Sequence, residues 1–224
     1  MKKNLLSISL IFCIAFAVEA QDTIVGWDFS NESIVANFGD DENIDRRELW
    51  AVTVDTSAQY GEAQREVTFT NGVEDFAATA TNWDGGADID SLKYWSIKFK
   101  AIDVENLIVS SKQRAGGNNG GPKNFKLQYL LKNGEWTDIP GGTVVVANDW
   151  TTGVVDQLAL PEDANNHNNE SIFIRWIMTD NEDINGGVVT AEGISKIDDI
   201  FISGTVTTTI DNVEYKSVYS VYPN

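Results

Sequence analysis

The chain has 224 residues, with 16 Lys and Arg against 34 Asp and Glu, a single His and a single Cys. A net charge of −18 repels phosphate backbones and anionic lipid, which argues against nucleic acid and membrane surfaces as partners. One cysteine and one histidine leave little material for disulfides, thiol nucleophiles or a zinc site.

Residues 1–20 have the layout of an export signal: Lys2 and Lys3, an apolar run over 5–17, then Val18-Glu19-Ala20 as a small-residue cleavage site before Gln21. The apolar run is shorter than the ~20 residues a membrane helix needs. Cys13 lies inside the signal without the small residues that precede a lipoprotein cysteine, so cleavage leaves a chain with no thiol. Losing Lys2, Lys3 and Glu19 with the leader leaves 14 basic against 33 acidic residues, a net charge of −19.

From residue 21 to 204 the pattern is one of short strands. The first are expected at 23–29 and 49–54. Strands at 66–70 and 73–80 flank Asn71-Gly72, and strands at 124–131 and 135–139 flank Asn133-Gly134; in both cases Asn-Gly supplies the positive φ angles of a two-residue hairpin turn. Apolar residues alternate with more polar ones in Trp95, Ile97 and Phe99, in Phe125, Leu127, Tyr129 and Leu131, and in Ile172, Ile174, Trp176 and Met178, so each strand has a core face and a wet face. This parity places Trp95, Phe125, Tyr129 and Trp176 in one core. Further strands are expected at 106–113, 143–146, 188–191 and 196–203. Gly, Asn, Thr and β-branched residues interrupt every candidate helix, and some ten strands in this length predict an all-β fold, a two-sheet antiparallel sandwich of jelly-roll type. The Gly- and Asn-rich segment 115–122 lacks the GK[ST] ending and following helix of a phosphate cradle and is a flexible loop. Residues 205–217, opening on Thr205-Val206-Thr207-Thr208-Thr209, read as a linker.

Residues 218–224, with Val221-Tyr222-Pro223-Asn224, resemble the first strand of the carboxy-terminal sorting domain of type IX secretion cargo, and the chain stops before the rest of that domain. The main body resembles a β-sandwich module of secreted multidomain proteins from bacteria with that route. The residues that carry this likeness are Gly26-Trp27-Asp28-Phe29, Lys93-Tyr94-Trp95, Ser110-Ser111-Lys112-Gln113, the run 121–129, Trp136-Thr137-Asp138, Ile174-Arg175-Trp176 and Ile197-Asp198-Asp199-Ile200. The resemblance implies a secreted or outer-surface protein that meets the type IX machinery, and it brings no catalytic residues with it.

Four groups of residues are candidates for a site. Asn181, Asp183, Asn185, Gly186 and Glu192 fall on positions one, three, five, six and twelve of the EF-hand calcium loop, with Asn in place of Asp at position one. Strand periodicity over 172–178 denies that loop its helix, which leaves an oxygen-ligand calcium loop or a plain acidic turn. Asp198 and Asp199 interrupt an apolar strand, and Asp198 shares the parity of Ile200 and Ile202, so one carboxylate points inward and needs a partner. By similarity to jelly-roll carbohydrate-binding modules, in which a late-strand Asp and a first-strand acid often share a structural calcium, Asp28 or Glu32 is the counterpart; a salt bridge to Arg175 or Lys196, or a solvent-facing Asp, is the other reading. Trp83, before Asp84-Gly85-Gly86, and Trp150, after Asn148-Asp149, sit in loop-like contexts where a ring stacks on a sugar or plugs an end of the sandwich. His167, in a polar Asn-rich loop, has no cysteine or second histidine to work with, and no carboxylate pair stands out for glycoside hydrolysis. The expected function is a secreted, non-catalytic module for glycan or another extracellular ligand, with a structural or adhesive surface protein and a carboxylate-based enzyme as alternatives; the only cofactor considered is one structural calcium.

Overall fold

A computed structural model describes residues 21–39, 48–52, 67–88, 92–116, 120–132, 134–165 and 170–207. The export signal, Asn133, His167, the linker beyond Thr207 and the sorting motif lie outside the described residues.

Among the described residues, twelve strands form two antiparallel sheets. In chain order they are β1 (Asp22–Trp27), β2 (Phe38–Gly39), β3 (Leu49–Val52), β4 (Thr68–Asn71), β5 (Phe76–Ala80), β6 (Tyr94–Phe99), β7 (Val104–Ala115), β8 (Asn124–Leu130), β9 (Thr137–Val145), β10 (Gly153–Ala159), β11 (Ile172–Met178) and β12 (Ser195–Val206). A seven-stranded sheet runs β10-β7-β12-β1-β2, with β5 also on β12 and β4 on β5; a five-stranded sheet runs β3-β6-β11-β8-β9. The chain passes repeatedly from one sheet to the other, which is the sandwich the alternation predicts. Among the described residues the only helical piece is the 3-10 turn Glu162–Ala164, and no helix is long and apolar enough to cross a membrane.

The core lies between the sheets. Trp95, Phe125, Tyr129 and Trp176 all belong to it, as the period-2 parity requires, together with Trp27, Leu49, Val109, Ile197, Ile200 and Ile202. Two inward tryptophans carry an N–H that must be satisfied, and a serine from the opposite sheet accepts each one: Trp95 Nε1 donates to Ser195 Oγ at 3.0 Å, and Trp176 Nε1 to Ser111 Oγ at 3.1 Å.

Several elements differ from the sequence expectation. Asn71 pairs with Phe76, so the first hairpin has a four-residue loop. The cause is nonlocal: the Val73 N–H is taken by the buried carboxylate of Asp198 at 2.7 Å, while Gly72 N donates to Asp75 O. The second hairpin is also longer than two residues, since Tyr129 pairs with Thr137. Expected strands 135–139 and 143–146 are one strand, β9, broken by a bulge between the Lys126–Thr143 and Gln128–Asp138 pairs, where Gly141 takes a φ of +79°. Residues 188–191 form only an isolated bridge through Val188. Strands β2 and β10 went unread in the sequence, and β12 continues two residues past Gly204, with Thr207 N donating to Asp103 O.

Candidate functional site

The outward face of the five-stranded sheet holds the candidate site. On β6, β11 and β8 the inward residues are apolar and buried, so the residues between them point the other way: Ser96 and Lys98, Phe173 and Arg175, Lys126 and Gln128. The register then lines up one residue per strand. Trp50 pairs with Ser96, Ser96 with Arg175, Arg175 with Gln128, and Gln128 with Asp138. Five strands at a spacing of about 4.8 Å make this row roughly 19 Å long.

Arg175 is its centre. Only 9% exposed, its guanidinium lies 4.1 Å from the Trp136 ring and 5.0 Å from the Tyr94 ring, and those two rings stand 6.3 Å apart at 55°. Both Nε and Nη2 donate to Gln128 Oε1, at 2.8 and 2.6 Å. Gln128 Nε2 passes the chain of bonds on to Asp138 Oδ1 at 2.5 Å, and Lys126 Nζ closes it at 2.9 Å from the same oxygen. Burial strips water from the guanidinium and pulls the Arg175 pKa down to about 10, which leaves it charged at neutral pH. Tyr94 is raised by burial against the opposing pull of Arg175, and Asp138 is lowered by its bonds to Lys126 and then Gln128. The rings of Trp50 and Trp136 are both half-buried, and Lys98 Nζ lies 5.6 Å from the Phe173 ring. Chemically, the row offers flat apolar surface beside donors and acceptors fixed in place by their neighbours, which is what a polyhydroxyl ligand with apolar ring faces requires.

The residues singled out in the sequence lie elsewhere. Trp83 is a core residue at 0% exposure: Asn82 takes a φ of +63°, the side chain drops between the sheets, its Nε1 donates to Ala80 O at 2.9 Å, and its ring packs 5.4 Å from Trp95. No sugar reaches it there, so the stacking role falls. Trp150 is half-buried with its indole nitrogen enclosed and its ring 6.0 Å from the Arg114 guanidinium, which in turn bonds Asn148; it is packed against its own sheet edge.

Both calcium readings meet carboxylates that are already engaged. Asp198, at 1% exposure, accepts N–H bonds from Val73 at 2.7 Å and Asp199 at 2.8 Å. Asp199, at a φ of +47°, pairs with Lys112 at 2.8 Å. Neither Arg175 nor Lys196 is the partner of Asp198. Burial above all pushes the Asp198 pKa up to about 6, against the pull of its N–H bonds. Asp28 Oδ1 accepts the Ser30 N–H and Oγ–H at 2.9 and 2.8 Å and a short bond from Asn37; these bonds outweigh burial and hold its pKa below the usual range. Glu32 is exposed. In the 181–192 loop, Asp183 Oδ1 accepts the Asn185 and Gly187 N–H groups at 2.7 and 2.8 Å, Asn181 Oδ1 accepts the Ala87 N–H at 3.0 Å, and Asn185 and Glu192 point to solvent. Among the described residues, no three His, Cys, Asp or Glu side chains gather as a metal needs.

What sequence reasoning missed is the outward row. Its signal was present: Trp50 and Arg175 have the parity opposite to Leu49, Ala51, Ile174 and Trp176. A large aromatic and a cation on wet faces were legible separately, and nothing local said that they share a row.

No protein-family model and no curated protein matches the sequence. Among solved structures, the chain is similar to a CBM4 module (20% identity, 70% of this chain and 86% of that one, TM-score 0.41). It is also similar to the CBM22-1–CBM22-2 tandem domain of Xyn10C from Paenibacillus barcinonensis (12% identity, 87% of this chain and 50% of that one, TM-score 0.43). A third is the K3 cleaved adhesin domain of Lys-gingipain from Porphyromonas gingivalis (8% identity, 82% of this chain and all of that one, TM-score 0.37). Every one of these scores is below 0.5, so the site is read from its own side chains.

Proposed function

We propose that this chain is a secreted, non-catalytic carbohydrate-binding module whose binding surface is the outward face of the five-stranded sheet. The observation that carries the reading is the row Trp50, Ser96, Arg175, Gln128 and Asp138, flanked by the Tyr94 and Trp136 rings. Aromatic faces take the apolar face of a sugar ring, and a hydrogen-bonded set of Arg, Gln, Asp and Lys addresses its hydroxyls. Export through the signal at 1–20, followed by type IX sorting through 218–224, is part of the same proposal. Affinity electrophoresis of the mature chain against a polysaccharide panel tests it: retardation by at least one polysaccharide is expected, reduced in Trp136→Ala and Trp50→Ala variants that still melt cooperatively. Unretarded migration in every gel rejects the reading. Mass spectrometry of exported protein is expected to find Gln21 at the new amino terminus, and an intact Met1 on exported material rejects the secretion route.

A further inference from the structure

The outward face of the five-stranded sheet has the opposite charge balance to the chain as a whole. Along β3, β6, β11, β8 and β9 the outward charged side chains are Lys98, Arg175 and Lys126 against Asp138 alone, in a chain of net charge −18. That one carboxylate is consumed by Lys126 and Gln128. Arg175 is nine-tenths buried and bonds the neutral Gln128, with no carboxylate of the described residues within ion-pair distance. A buried cation packed against two rings, with Asp138 acting on it only from beyond ion-pair distance, favours an anion brought in from outside. The planar guanidinium suits a carboxylate better than it suits a lone hydroxyl.

Resting on the carbohydrate-binding reading above, we propose that the glycan taken by this face is acidic: a uronic-acid-containing polysaccharide whose carboxylate is received at Arg175, with Lys98 and Lys126 on either side of the row. The net negative charge of the chain repels such a polymer while the cations of this face attract it, which orients binding.

The test compares polygalacturonate, alginate and glucuronoxylan with their carboxyl-reduced forms, each titrated into the mature wild-type chain by calorimetry. At least one acidic form is expected to bind, with affinity lower by at least about tenfold after carboxyl reduction and falling as salt rises. Arg175→Met, checked for a cooperative melt, is expected to bind acid and reduced forms alike. Because the acid-against-reduced comparison uses the wild-type chain, it stands even if that variant fails to fold. Equal affinity for acidic and reduced forms overturns the inference while leaving the carbohydrate-binding reading intact. Binding to a sulfated glycan such as carrageenan, with no binding to any uronate, overturns the carboxylate assignment. No binding to acidic, reduced or neutral glycans overturns both.

Discussion

The two faces of the five-stranded sheet are built from the same strands and treat their polar groups in opposite ways. On the inward face, Trp95 and Trp176 bring two indole N–H groups into the core, and Ser195 and Ser111 of the other sheet satisfy them. Nothing there is left for a ligand. On the outward face, Trp50 and Trp136 are half-buried, and the polar chain from Lys126 through Asp138 and Gln128 ends on a desolvated cation with no carboxylate of the described residues within ion-pair distance. The difference separates two uses of tryptophan. Inward rings fill volume between sheets; outward rings line a surface whose electrostatics are unfinished.

The largest expected effect breaks that comparison if it fails. Trp176→Ala empties a fully buried site between the sheets and should lower the unfolding free energy by about 3–5 kcal/mol in urea titrations. An unchanged midpoint would mean that Trp176 is not a core residue.

Another buried charge, Asp198, sharpens the contrast because it sits in the opposite sheet and is held by backbone N–H groups. Its folded pKa of about 6 lies above the ordinary 3.8, so below pH 3.8 both states are protonated and no penalty arises. Between 3.8 and about 6 the unfolded state releases its proton first, so stability falls as pH rises; above 6 the full penalty, about 3 kcal/mol, is present. Asp198→Asn removes this titration. The stability of wild type relative to the variant should therefore drop by about 3 kcal/mol from about pH 3 to about pH 7, and a flat difference across that range would show that Asp198 titrates normally.

Next in size is the pairing of sheets through tryptophan. Ser111→Ala strands the Trp176 N–H in the core and should cost about 2 kcal/mol by chemical denaturation, whereas Ser111→Thr, which keeps the hydroxyl, should recover part of it. Equal losses in the two variants would assign the cost to packing alone.

The smallest effect belongs to the outward face. Trp136→Ala removes a ring stacked on Arg175 and should lower stability by only about 1 kcal/mol while weakening glycan binding. A loss as large as that of Trp176→Ala would place Trp136 in the structural core and leave the two faces alike.

Much of this was written in local sequence, and the boundary is a physical one. Side-chain direction in a strand has a period of two, so the inward set of Trp95, Phe125, Tyr129 and Trp176 followed from their immediate neighbours. By the same rule Arg175 had to face outward. Strand order and register are set by contacts between segments far apart in the chain, and only they put Trp50, Ser96, Arg175, Gln128 and Asp138 side by side. A tertiary contact also decided the first hairpin, where the Asp198 carboxylate takes the Val73 N–H and displaces the turn that Asn71-Gly72 favours locally. Loop residues were the least legible. Trp83 follows a strand with no periodicity to direct it, so whether its ring met solvent or core depended on where the neighbouring sheet left room. Alternation along the chain determined the sandwich and its inner face, because burial repeats with the geometry of a single strand. The outer face became a site only when five strands were laid in register, because the energy of gathering its charges and rings depends on distances that no single segment contains.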